Sequence, residues 1–97
     1  MLFALICTDR PGAQELRAAT RPVHLAYLDS RVAELVEGGA MLGADGQACG
    51  SLLLIDVADR AAAEAFAAAD PYAKAGLFES TVIRPFRGVF KDGAKLS

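Results

Sequence analysis

The sequence predicts an α+β domain with the element order βαββαβ. Short apolar runs bounded by turn residues read as strands, and two longer stretches with 3.6-residue spacing read as helices. They follow one another as strand, helix, two strands, helix, strand. The chain has 97 residues, of which 54% are hydrophobic and 23% charged. That composition suits one core. It excludes a disordered tail, which lacks the apolar surface to offset ordering entropy.

Residues 2–8 (LFALICT) form the first expected strand, closed by the turn signal Asp9-Arg10-Pro11-Gly12. Residues 13–20 read as a connection with room for one helical turn. The first helix is expected over residues 21–38. Pro22 suits a first turn, where its missing N–H is not needed, and Gly38-Gly39 supplies a stop. Leu25, Leu28, Val32, Leu35 and Val36 then share one apolar stripe, with Asp29, Ser30, Glu34 and Glu37 away from it. Residues 40–44 are the second strand, and Asp45-Gly46 marks a hairpin turn. Residues 51–57 (SLLLIDV) are the third strand. Asp59 caps an alanine-rich helix that ends near Ala69 and carries Phe66 as its anchor. Asp70-Pro71 breaks that helix, and residues 71–75 make a short helical turn stopped by Gly76. Residues 78–87 are the fourth strand, with Pro85 directing that end to a sheet edge. Residues 91–97 read as a loose tail of a single domain spanning residues 1–97.

This order is the ferredoxin-like split βαβ arrangement, an antiparallel four-stranded sheet. Two right-handed crossovers place both helices on the same face. The strands, however, are apolar on both faces. Leu2, Ala4 and Ile6 oppose Phe3, Leu5 and Cys7, while Leu52 and Leu54 oppose Leu53, Ile55 and Val57. Such strands call for cover on both sides, and two helices cover only one. A homodimer through the open sheet face is the simplest resolution. A bound ligand or an unusually apolar exposed sheet are the alternatives.

Composition also narrows the function classes. The net charge is −2 and the pI about 5.2, so no overall basic field attracts nucleic acid or acidic lipid. No apolar run approaches the ~20 residues of a membrane span. Residues 2–7 resemble a signal h-region, but no basic residue precedes them and Ile6 before Cys7 is not small, so a cytoplasmic location is expected. Cys7 and Cys49 make neither a disulfide framework nor a CxxC metal site. They read as small buried residues. The single histidine, His24, has no second histidine for a zinc or haem motif. No metal or cofactor is expected. Gly43, Gly46 and Gly50 flank a hairpin rather than opening a helix, which excludes a phosphate loop. Arg84, Arg87, Lys91 and Lys95 read as a solvated strand edge and tail.

His24 is the most informative residue. It falls at the border of the apolar stripe in the first turn of the expected helix, where the helix dipole disfavours an imidazolium. A neutral imidazole can act as general base. From spacing alone, the plain reading is a packed or exposed helix histidine. Asp70 could accept Nδ1–H of His24 and fix its tautomer, as a triad aspartate does. It is equally well placed to cap the Pro71-Tyr72-Ala73-Lys74 turn. Periodicity does not bring the two together. Arg21, one turn from His24, suits an anionic substrate group or solvent. Ser51 opens an apolar strand and is a candidate pocket residue without a base to activate it. Tyr72 is a further pocket candidate, or packs against the sheet or a dimer partner.

Taken in order, Arg21-Pro22-Val23-His24-Leu25, Gly39-Ala40-Met41-Leu42-Gly43, Gly50-Ser51-Leu52-Leu53, Asp70-Pro71-Tyr72, Ala75-Gly76-Leu77-Phe78 and Arg84-Pro85-Phe86 resemble the YCII-related (YciI-like) family over nearly the whole chain. The resemblance implies a dimeric α/β-barrel type of assembly and an active site on a His–Asp pair, which falls on His24 and Asp70. It implies a small-molecule substrate and a cofactor-independent lyase or isomerase reaction, a related dehydrochlorinase of chlorinated hydroxyquinol breakdown being one example. A non-catalytic metabolite-binding or regulatory dimer is the alternative.

Overall fold

A computed structural model describes residues 1–97. The chain runs β1 (Leu2–Asp9), α1 (Gln14–Asp29), β2 (Leu35–Leu42), β3 (Ala48–Asp56), α2 (Arg60–Ala69), α3 (Pro71–Lys74) and β4 (Phe78–Pro85), then β5 (Phe90–Lys91) and β6 (Ala94–Lys95). The four long strands form one antiparallel sheet in the order β2-β3-β1-β4. This is the ferredoxin-like α+β fold. No helix is long and apolar enough to cross a membrane.

Strand alternation sorts residues between the two faces. On the helix face Phe3 pairs with Ile55, Leu5 with Leu53, and Cys7 with Ser51, and all six are buried. Ala63 and Phe66 of α2 pack onto the first two pairs, and both are fully buried. The small Ala63 lets the helix approach the sheet. Burying a side chain like Phe66 contributes about 1.5–3 kcal/mol. Asp59 caps α2 as expected, its carboxylate accepting from Ala62 N at 2.9 Å. On the other face Ala4, Ile6, Leu52, Leu54 and Val82 stand side by side, with Leu52 46% and Val82 40% exposed. No helix lies on this face, and the segment with β5 and β6 borders only its Leu2–Leu54 end.

The first helix departs most from expectation. It begins at Gln14, not Arg21, so residues 13–20 are helix rather than connection. Gly12, at φ 71°, turns the chain directly into it. Pro22 therefore lies inside α1, where it removes one rung of the ladder. The helix ends at Asp29, and Leu35 and Val36 belong to β2. The anticipated apolar stripe is not the buried one, since Leu25 is 40% and Val32 63% exposed. The residues that α1 buries are Arg17 and His24. Periodicity of apolar residues could not find a buried face whose centre is polar.

Gly38-Gly39 lies within β2 instead of stopping a helix. The hairpin after it forms as expected. Gly46 takes φ 80°, and Asp45 accepts from Gln47 N at 3.0 Å. β3 starts earlier and β4 ends earlier than their apolar runs suggest. Residues 90–95 fold back as a two-stranded ribbon.

Candidate functional site

The polar face of α1 lies over the ends of β1 and β3, and α3 closes it from the side. Asp70 sits at the junction of α2 and α3 in extended conformation, followed by Pro71 in the first turn of α3. Its Oδ1 accepts from Tyr72 N at 2.9 Å. The same oxygen meets Nδ1 of His24 at 2.8 Å. His24 and Asp70 are 6% and 2% exposed. Because Oδ1 already accepts from Tyr72, Nδ1 is the donor. The imidazole then carries its lone pair on Nε2, which makes no hydrogen bond to the protein.

His24 stands mid-helix rather than in a first turn. The dipole effect fades within the first turn, so the charged group nearest the imidazole is Asp70 and not the helix terminus. Tyr72 stacks on the imidazole, with centroids 3.9 Å apart and planes 17° apart. Its ring packs between His24 and Phe78 of β4, so it lies against the sheet as one of the sequence alternatives has it. Burial raises the Tyr72 phenol above its ordinary range, against the pull of Arg17 and Arg21.

Arg17 and Asp9 complete the cluster, and both escaped the sequence reading. By sequence, Asp9 belongs to a turn and Arg17 to a connection. The Arg17 guanidinium grips Asp9 through Nε at 2.7 Å and Nη2 at 3.1 Å. Nη2 also donates to Ser51 Oγ at 2.8 Å. Its Cζ lies 4.6 Å from the Tyr72 ring centroid, a cation–π distance. Burial is the largest single influence and works against the charge, but the bond to Asp9, the Asp9 charge and Tyr72 together raise the guanidinium above its ordinary value. The spacing Ala13, Leu16, Arg17, Thr20, His24, Tyr27, Leu28 carries the signal of this face once polar residues are allowed on it.

Beside the cluster is a cleft of about 210 Å³. Arg17, Arg21 and His24 line it from α1, Ser51 and Leu53 from β3, and Tyr72 from α3. Residues Gly38, Gly39 and Ala40 of β2 form its rim. The five site residues expected from sequence, Arg21, His24, Ser51, Asp70 and Tyr72, therefore meet in one place. Arg21 is exposed at the mouth, and Asp70 stands behind His24 rather than in the lining. A cavity of ~150 Å³ holds benzene, so this cleft admits one substituted ring. No group of three or more His, Cys, Asp or Glu side chains converges as metal ligands would. Cys7 is buried as expected, whereas Cys49 is exposed.

The sequence model of the YCII-related domain matches residues 1–87. The chain belongs to the YCII-related family. This YCII-related chain is 36% identical to Protein YciI of Escherichia coli over 98 aligned positions, covering 93% of this chain and 100% of that protein. An uncharacterized protein of Haemophilus influenzae is 32% identical, with coverage of 93% and 100%. Among solved structures, 5-chloro-2-hydroxyhydroquinone dehydrochlorinase of Burkholderia phenoliruptrix, in complex with 2,5-dihydroxybenzoquinone, superposes with a TM-score of 0.85. It is 35% identical, and the match covers 90% of this YCII-related chain and 94% of that one.

Proposed function

We propose that the cleft is the active site of a small-molecule enzyme of the lyase or isomerase type, with His24 as general base and Asp70 as its orienting partner. The observation that carries this reading is the 2.8 Å Nδ1–Oδ1 bond, which leaves Nε2 without a protein partner in a residue that lines the cleft. Nε2 takes a proton from a ring carbon or hydroxyl of the substrate. The Asp70 carboxylate stabilises the imidazolium that results. In an isomerisation the proton returns at another atom of the substrate; in an elimination the leaving group departs with its bonding electron pair and the imidazolium then gives its proton to water. Arg21, Ser51 and Tyr72 hold the substrate. The dehydrochlorinase with its bound quinone supports a ring-bearing acid or phenol as the substrate class.

The test is a turnover screen of small halogenated or hydroxylated rings and enolisable acids with wild type and His24→Ala. Loss of turnover in the variant is expected, by about 10²–10⁴-fold. Equal turnover in both would sink the role of His24.

A second reading is a binding or regulatory module without catalysis. Asp70 caps α3 and His24 stacks on Tyr72, so structural work alone accounts for both residues. It predicts saturable metabolite binding and no product. In either case the molecule is a homodimer through the open sheet face. There Ala4, Met41, Leu52, Leu54 and Phe86 line an apolar depression of about 420 Å³ that water covers poorly. The protein works in the cytoplasm, where free thiols such as Cys7 and Cys49 persist.

A further inference from the structure

Resting on the reading of the cleft as a ligand site, we infer that its ligand is a ring carrying one small apolar substituent, such as a methyl group, and that Ala40 is the residue that limits the size of that substituent. Gly38-Gly39-Ala40 of β2 are the barest part of the cleft wall. β2 is an edge strand, with only β3 beside it. In that pairing Gly38 stands opposite Leu53, Gly39 opposite Leu52 and Ala40 opposite Ser51. Residues directly opposite in an antiparallel pair share a face of the sheet. Leu53 and Ser51 are buried on the helix face, and Leu52 is exposed on the other. Positions 38 and 40 therefore face the cleft, and Gly39 offers it only backbone.

Of these two positions, 38 is closed to any side chain. A Cβ there would stand 2.6 Å from Leu53 Cδ2, so Leu53 already fills that space. Position 40 is left as the one on β2 whose side chain sets the width of the cleft. Its methyl lies about 4.5–5.5 Å from the Cβ of Ser51. The cleft measures about 210 Å³, and a bare six-membered ring fills about 150 Å³. The surplus is room for about two heavy atoms, at water's share of ~30 Å³ each. Leu25, Leu28 and Leu53 complete the apolar lining beside Ala40 and offer a substituent no hydrogen bond. An apolar atom fills such a space at less cost than a hydroxyl. Valine at position 40 would bring two more carbons to the same space and use up the surplus. Ala40 is exposed, and valine suits a strand at such a place, so the exchange acts on the cleft and not on the fold.

The experiment compares 2,5-dihydroxybenzoquinone with its 3-methyl derivative. The two carry the same ionisable hydroxyls and differ by one methyl group. Each is titrated into the full chain as wild type, Ala40→Val and Ala40→Leu, and binding is followed by calorimetry, with a thermal melt to establish that each variant is folded. Wild type is expected to bind the methyl compound at least as tightly as the parent, by up to about fourfold. Ala40→Val is expected to hold the parent near the wild-type affinity and to weaken the methyl compound by about tenfold or more. Ala40→Leu, with one carbon more, should shift the ratio further in the same direction. A role of Ala40 in packing alone would weaken both quinones alike. An unchanged ratio in the folded variants, or an equal loss of both compounds, overturns the inference and leaves the cleft a ligand site. So does a wild type that binds the parent and rejects the methyl compound. Failure of wild type to bind either quinone overturns the reading of the cleft, and the inference with it.

Discussion

His24 and Asp70 lie 46 residues apart in sequence and 2.8 Å apart in space. Asp70 does two jobs with one oxygen, and substitution separates them. Asn caps a helix about as well as Asp but cannot stabilise an imidazolium by charge. Asp70→Asn is therefore expected to keep its melting temperature within a few degrees while turnover falls by about 10²–10⁴-fold. Asp70→Ala should lose the cap as well, at about 1 kcal/mol, and melt measurably lower. Cys7 offers a pH test. Burial pushes its thiol from the ordinary 9.0 to about 11. The unfolded chain thus gives up this proton first. The stabilisation is complete below the unfolded value and is lost as the pH rises from about 9 through 11. Tyr27 and Tyr72, also raised by burial, act in the same sense at higher pH. Urea denaturation across that range should show falling stability, with a shallower fall for Cys7→Ala. Of the residues that meet at the cleft, His24, Asp70, Arg21, Ser51 and Tyr72 are candidates in the sequence, with the His24–Asp70 pairing implied only by the family resemblance. Arg17 and Asp9 are not, because a buried ion pair between a turn and a helix has no local signature.

At the scale of elements, the capping residues were read correctly and the first helix was not. Asp59 and Asp70 announce helix starts through side-chain oxygens that bond within three residues, which is local chemistry. Asp59→Ala should cost about 1 kcal/mol, or a fall of about 4–8 °C in Tm for a domain of this size, read by a thermal melt. Helix α1 has no side-chain cap at Ala13 and carries Pro22 in its interior, so both usual markers mislead. Tertiary packing holds it in place despite the proline. Pro22→Ala restores one backbone bond and is expected to raise Tm, since proline costs up to about 3 kcal/mol inside a helix. The crossing of β1 and β3 tolerates no added bulk. A Cβ on Gly50 would sit 2.5 Å from the Cys7 carbonyl oxygen and 2.6 Å from the Met41 methyl. Gly50→Ala should destabilise by about 1–3 kcal/mol, seen as a lower urea midpoint.

At the scale of the whole molecule, the sheet separates two kinds of surface. Its helix face carries the core at one end and the polar cluster at the other. Its open face carries Ile6, Leu52, Leu54 and Val82, with Leu52 46% exposed. The excess of apolar residues over what two helices can cover was visible in the strand pattern before any coordinates. Leu52→Glu places a charge in the middle of that face. Sedimentation equilibrium is expected to find a dimer for wild type and a monomer for the variant. A monomeric wild type would leave the apolar face without an explanation and remove the dimer.

By itself, the sequence determined the strand order, the crossover of each helix to one face, the hairpin at Asp45-Gly46 and the break at Asp70-Pro71. These depend on turn chemistry and apolar alternation, which act over a few residues. The phase of α1 was decided only by the tertiary structure. That helix turns a polar stripe inward because Asp9, Ser51, Asp70 and Tyr72, on four other parts of the chain, supply the partners that make burying Arg17 and His24 tolerable. Hydrophobic periodicity responds to the removal of apolar groups from water. It is silent where burial is stabilised by hydrogen bonds between residues that only the fold brings together.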